Sequence, residues 1–134
     1  MKMKIRPVIL IIASILLGAC TGTPEPNEPA GLQISDPAKA LEAAAGDEFK
    51  IVIESNPTTG YHWELMNEPE ANMVILVSNG YKGDEPVITG SGGVEVWTFK
   101  AVSAGETQIT LGYYPPSNEP TDPQQTVTFT VKVK

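Results

Sequence analysis

From about residue 38 to the C-terminus, apolar side chains recur at every second position in short runs, each bounded by Gly, Pro, Asn or Asp. A period of two belongs to strands that bury one face. After Gly46-Asp47, Phe49, Ile51 and Ile53 fall on one side, with Lys50 and Glu54 on the other. Tyr61, Trp63 and Leu65 repeat the pattern around His62 and Glu64. Trp97, Phe99 and Ala101 share a face, as do Thr107, Ile109 and Leu111. The last run is the most regular: Val127, Phe129, Val131 and Val133 alternate with Thr126, Thr128, Thr130, Lys132 and Lys134. Two less regular stretches, Lys39 to Ala45 and Met73 to Asn79, are expected to add a strand each, although the alanine-rich composition of the first favours helix. About seven short strands in one domain's worth of chain predict an all-β fold, an immunoglobulin-like antiparallel β-sandwich with its turns gathered at two ends.

The chain before residue 38 follows other rules. Lys2, Lys4 and Arg6 precede an apolar run, Val8 to Leu17, that is too short to span a bilayer. The run ends in Leu17-Gly18-Ala19-Cys20, the pattern of a bacterial lipobox, so residues 1–20 are expected to be a lipoprotein signal peptide and Cys20 the lipidated first residue of the mature chain. An ordinary signal peptide with a chance cysteine is the alternative. Residues 21–37, rich in Pro and Glu at their start, are expected to form a tether of about 3 Å per residue, leaving 38–134 as the folded domain. The expected location is the cell envelope: the outer membrane or periplasm of a cell with two membranes, the outer face of the cell membrane where there is one.

Charge narrows the partners. The chain has 16 acidic and 9 basic residues, and three of the basic ones lie before Cys20, so the mature chain carries −10. Such a surface repels phosphate backbones and anionic lipid, which argues against nucleic acid and confines membrane contact to the lipid anchor. Counting also argues against catalysis. His62 is the only histidine and Cys20 the only cysteine, so a zinc site of His and Cys cannot be assembled, and no disulfide or thiol nucleophile is available. His62 reads as a solvated strand residue. Ser91 lies between Gly90 and Gly92 but lacks the strand-to-helix setting of a nucleophile elbow. Asp84-Glu85 and the Glu68/Glu70 pair fall in expected loops as solvated charge. No cofactor is expected, and the chain reads as a non-enzyme.

The informative residues lie in the loops. Asn56-Pro57-Thr58-Thr59-Gly60-Tyr61 joins two expected strands; Pro57 fixes its φ, Asn56 can hydrogen-bond locally and Gly60 permits a positive φ. An ordinary tight connection would use similar residues. With His62-Trp63 appended, however, the segment resembles the NPTTGY-x-W motif of the chagasin-like (I42) inhibitors of papain-family cysteine proteases. Gly90-Ser91-Gly92-Gly93, followed by Trp97-Thr98-Phe99-Lys100-Ala101, is similar to that family's GxGG loop and W-x-F-x-A strand. The resemblance runs from about Leu41 to Lys134. A third family element departs: where members carry an Arg-Pro-Trp loop, this chain has Tyr113-Tyr114-Pro115-Pro116-Ser117.

The resemblance implies a monomeric inhibitor that wedges three loops into the active-site cleft of a papain-like cysteine protease. Thr58, Thr59 and Gly60 would occupy the cleft centre, and Asn56 and Pro57 would set the loop's shape. Gly90, Gly92 and Gly93 would let the backbone approach one wall, while Tyr113, Tyr114 and Pro116 would supply a flatter apolar surface on the other side. Loss of the Arg-Pro-Trp loop keeps a second reading open, a non-inhibitory envelope interaction or adhesion module on the same fold.

Overall fold

The computed structural model describes residues 31–134; the expected signal peptide, Cys20 and the tether up to residue 30 lie outside the described residues. Eight strands form two four-stranded sheets. In chain order they are β1 (Leu32–Ile34), β2 (Ala40–Ala43), β3 (Glu48–Ser55), β4 (His62–Leu65), β5 (Val74–Gly83), β6 (Gly93–Ala101), β7 (Gly105–Tyr114) and β8 (Gln125–Val133). One sheet runs β1-β3-β6-β5, the other β2-β8-β7-β4. The all-β sandwich expected from the periodicity is the fold, and the alanine-rich stretch is a strand because Leu41 and Ala43 are buried on its inner side.

Three details correct the sequence reading. Among the described residues there are eight strands, where about seven were expected. Pairing is antiparallel within the body, but β1 pairs with β3 and β2 with β8 in parallel, so the sandwich is mixed at one side. A strand also lies inside the stretch assigned to the tether: the backbone of Leu32–Ile34 pairs with Phe49–Ile51 and buries Ile34. A three-residue strand is too short to show a period.

The two ends of the sandwich differ. At the end holding the Ala43–Gly46 turn, Phe49, Phe99, Val74 and Val131 are fully buried, and Ile51, Ile109, Phe129 and Leu111 continue that core through the middle of the sandwich. Phe49 and Phe99, opposite each other on β3 and β6, stack at 5.6 Å. Toward the other end the inward positions of β3 and β6 pass from Ile51 and Trp97 to Ile53 and Glu95, then to Ser55 and Gly93. Apolar filling gives way there to polar and glycine positions, and the loops that carry the motifs begin.

Candidate functional site

The β3–β4 connection is a single 3₁₀ turn, Pro57–Thr59, whose N-cap is Asn56. The Asn56 carboxamide oxygen accepts from the Thr58 backbone N–H at 3.3 Å and from the Thr58 hydroxyl at 2.5 Å. Thr59 closes the turn from the other side: its hydroxyl and its backbone N–H both donate to the Asn56 carbonyl, at 2.7 and 3.2 Å. Gly60 ends the turn at φ +80°, a conformation that costs a residue with a Cβ about 1–3 kcal/mol. Residues 57–60 are exposed, yet the loop's polar groups are largely satisfied within it. The loop is therefore stiff by its own hydrogen bonds.

Its base is held from outside. Trp63 Nε1 on β4 donates across the sheets to the Glu54 carbonyl at 2.9 Å. The hydroxyl of Ser55, buried and next to Asn56, donates to the Glu95 carboxylate on β6 at 2.7 Å.

On one flank lies the β5–β6 loop, residues 84–92. The Asn56 amide reaches the Gly90 carbonyl at 3.4 Å, which joins this loop to the first. Ser91 is turned inward on its own loop, its hydroxyl donating to the Ile88 carbonyl at 2.7 Å. Gly92 lies beside the backbone of Ser55, and a Cβ on it would stand 3.6 Å from the Ser55 carbonyl oxygen. Gly93 has no room for a side chain: a Cβ there would fall 2.3 Å from the Lys82 carbonyl and 2.6 Å from the Tyr81 hydroxyl. The last glycine of the motif is thus explained by packing against β5 rather than by backbone freedom.

On the other flank lies the β7–β8 loop, residues 115–124. A Cβ on Gly60 would lie 3.0 Å from Pro116 Cβ, so Pro116 sits against the first loop. Tyr113 is half-buried, stacks on Tyr61 at 5.1 Å and lies tilted against the Trp63 ring at 4.8 Å. Tyr114, opposite His62 on β4, stacks on the imidazole at 6.2 Å, and His62 Nε2 lies 2.7 Å from Glu64.

The three segments singled out in the sequence therefore meet at one end of the sandwich, with the Thr58-Thr59 turn between Gly90 and Pro116. Tyr61 and Tyr113 serve as packing beneath the loops rather than as their outer surface, while Thr58, Thr59, Gly60, Gly90 and Pro116 are exposed. Pro57 is exposed at the start of the turn, and Pro115 is half-buried between Tyr114 and Pro116. Sequence reasoning missed Val87 and Ile88. They are 79% and 65% exposed at the tip of the β5–β6 loop, the two most exposed large apolar side chains among the described residues. Two adjacent apolar residues enclosed by Pro86 and Gly90, outside any alternating run, were the available signal. Ser55 and Glu95 were missed too, since a polar inward pair breaks the apolar pattern without announcing a partner.

Comparison with known proteins agrees with this geometry. Residues 42–133 match the profile of the chagasin family peptidase inhibitors, I42. The chain is 30% identical over 97 residues to chagasin of Trypanosoma cruzi, covering 70% of this chain and 86% of that protein. Among solved structures it is similar to Amebosin (TM-score 0.60, 28% identity, 78% of this chain and 98% of the other). It also shares its fold with the cysteine protease inhibitor EhICP2 of Entamoeba histolytica (TM-score 0.59, 23% identity, 76% and 94% covered). A further fold match is PbICP-C, solved in complex with falcipain-2 (TM-score 0.53, 19% identity, 76% and 88% covered).

Proposed function

The chain belongs to the chagasin family of peptidase inhibitors, and from that membership we propose that it inhibits papain-type cysteine proteases by inserting its three-loop edge into the active-site cleft. Members of the family are inhibitors and not enzymes, and this chain is a cysteine protease inhibitor of that kind. The observation that carries the wedge is the convergence of Thr58-Thr59, Gly90 and Pro116 at one end, tied by the Asn56 contact to Gly90 and the packing of Pro116 on Gly60. A loop already ordered by its own hydrogen bonds loses little conformational entropy on docking, so more of the contact energy appears as affinity. No bond of the inhibitor need break. Where the family carries a tryptophan, this chain offers Tyr114 and Pro116, and the apolar tip of Val87 and Ile88 stands on the opposite flank. Apolar side chains that are desolvated on contact give the largest return at interfaces.

The domain acts as a monomer, carried on a lipid at Cys20. Its geometry suits that anchoring. Leu32 enters beside Phe49, and the loops leave β3 after Ser55, about 20 Å farther along the strand. A tether entering at that end holds the inhibitory edge away from the membrane, in reach of a protease free in the surrounding compartment.

The test is inhibition of papain by the full chain and by a Thr58→Glu/Thr59→Glu variant. Bulky acidic groups at the cleft centre are expected to weaken binding at least tenfold, about 1.4 kcal/mol. Equal inhibition by both would remove the first loop from the mechanism.

A further inference from the structure

The sandwich is not closed along the side where its two short strands lie. β1 pairs only with Phe49–Ile51 of β3, and β2 only with Thr130–Val133 of β8. Nearer the loops, Val52–Ser55 and Gln125–Phe129 have partners on one edge alone among the described residues, β6 and β7 respectively. The two free edges face each other across a cleft of about 930 Å³. Ile53, Trp63, Tyr113, Val127 and Phe129 line its interior, and Ile53, Tyr113 and Val127 are only half-buried although they belong to the inward side. Glu54 and Asp84 are among the lining residues, and no lysine or arginine is. Ser55, Asn56, Gly92 and Gly93 line it as well, so the cleft opens directly beside the first two loops of the inhibitory edge.

We propose that this lateral cleft is a second docking site, which takes an extended, basic segment of the protease engaged by the three loops. The inference rests on the inhibitor reading and adds a partner surface outside the catalytic cleft. Apart from the Glu54 carbonyl, which already accepts from Trp63 Nε1, each free strand edge presents backbone groups that an extended segment can satisfy by adding as a strand. Alternate side chains of that segment would cover the half-buried apolar floor, and a lysine or arginine would meet the Asp84 carboxylate beside Gly92, with aromatic rings nearby. The chain's own residues 21–31 suit the cleft poorly: Pro24, Pro26 and Pro29 cannot donate to a ladder, and Glu25 and Glu28 meet like charge. A second copy brings a net-acidic surface to the same acidic rim.

Two measurements on the full chain decide the matter. In the first, amide hydrogen exchange is compared between the free chain and its complex with papain whose catalytic cysteine is blocked. Slowing of Val52–Ser55 or Gln125–Val127 by about tenfold or more, beyond the protection of the loops, is expected; protection confined to the loops overturns the proposal while leaving the inhibitor reading intact. In the second, short blocked peptides of alternating valine with arginine, or valine with glutamate, are titrated while the methyl signals of Ile53 and Val127 are followed. Shifts with the arginine peptide that weaken at least fivefold in Asp84→Lys support the site, even should papain fail to bind and the inhibitor reading fall. No shifts, or equal shifts with both peptides, count against it. So does edge protection already present in the free chain, whether it vanishes on deletion of residues 21–31 or grows with protein concentration, since either places another occupant there.

Discussion

The two ends of this sandwich solve opposite problems with the same strands. Where Phe49, Phe99 and Phe129 meet, the inward positions are large, apolar and fully buried, and the chain is held by the hydrophobic effect. At the loop end the same inward rows read Glu95, Gly93 and Ser55, and order comes from named hydrogen bonds: Trp63 to Glu54, Ser55 to Glu95, Asn56 to its own turn. Burying the loop end more fully would add stability and leave nothing to present. A directional network keeps exposed backbone stiff without covering it.

That division predicts that stability and binding separate by position. The largest effect belongs to the packed end: Phe99→Ala removes a fully buried ring stacked on Phe49 and is expected to cost about 3–5 kcal/mol in denaturant unfolding. Papain affinity of the fraction still folded should barely change. Next comes Gly60→Ala, which places a Cβ at φ +80° and against Pro116; about 1–3 kcal/mol of strain is expected, shared between a lower melting temperature and weaker inhibition. Comparable loss of both in a Pro116→Gly background, which removes the Cβ at 3.0 Å, would show that the backbone conformation, not the proline contact, is the source.

Val87→Asp with Ile88→Asp sharpens the comparison from the other side. Both side chains are largely exposed, so unfolding should move by no more than about 0.5 kcal/mol. Papain binding should fall about tenfold, because two apolar contacts become desolvated carboxylates. Unchanged affinity would take the β5–β6 tip out of the interface.

The smallest effect lies at the packed end, in the exposed contact of Lys134 with Glu42 at 2.9 Å. The hydrogen bond and charge of Lys134 hold the Glu42 carboxyl below its usual value, against an opposing effect of desolvation and with a smaller lowering from the charge of Lys132. A carboxyl whose folded value is lowered stabilises the fold above its unfolded value, and that stabilisation is lost as pH falls through the folded value. Melting temperature should therefore drop slightly more on acidification in the parent chain than in Glu42→Gln, with the difference confined to the acid side of the carboxylate range.

The sequence disclosed the packed end better than the loop end. Strands such as Val127–Val133 could be assigned because a strict period of two leaves one way to bury them. β1 went unseen, since three residues with Ile34 alone buried carry no period and the strand exists only through pairing with β3. Asn56 to Tyr61 was legible as a loop from Pro57 and Gly60, and its role from resemblance. That Tyr113 would turn inward under Tyr61 was not, because a tyrosine serves equally as anchor and as packing until its neighbours are known. The clustering of the three loops, the closed-off position of Gly93 and the Ser55–Glu95 pair depend on residues dozens of positions apart, and no local pattern encodes them.

Blocking a papain-type active site is the role proposed for the loop end. Steady-state hydrolysis of a short fluorogenic substrate by papain, measured against increasing full-length chain, tests it most directly. Reversible inhibition competitive with substrate is expected, with the chain recovered uncut after long incubation. Undiminished hydrolysis with the chain in large excess over the enzyme, or inhibition that disappears as the chain is cleaved between Asn56 and Tyr61, would contradict it.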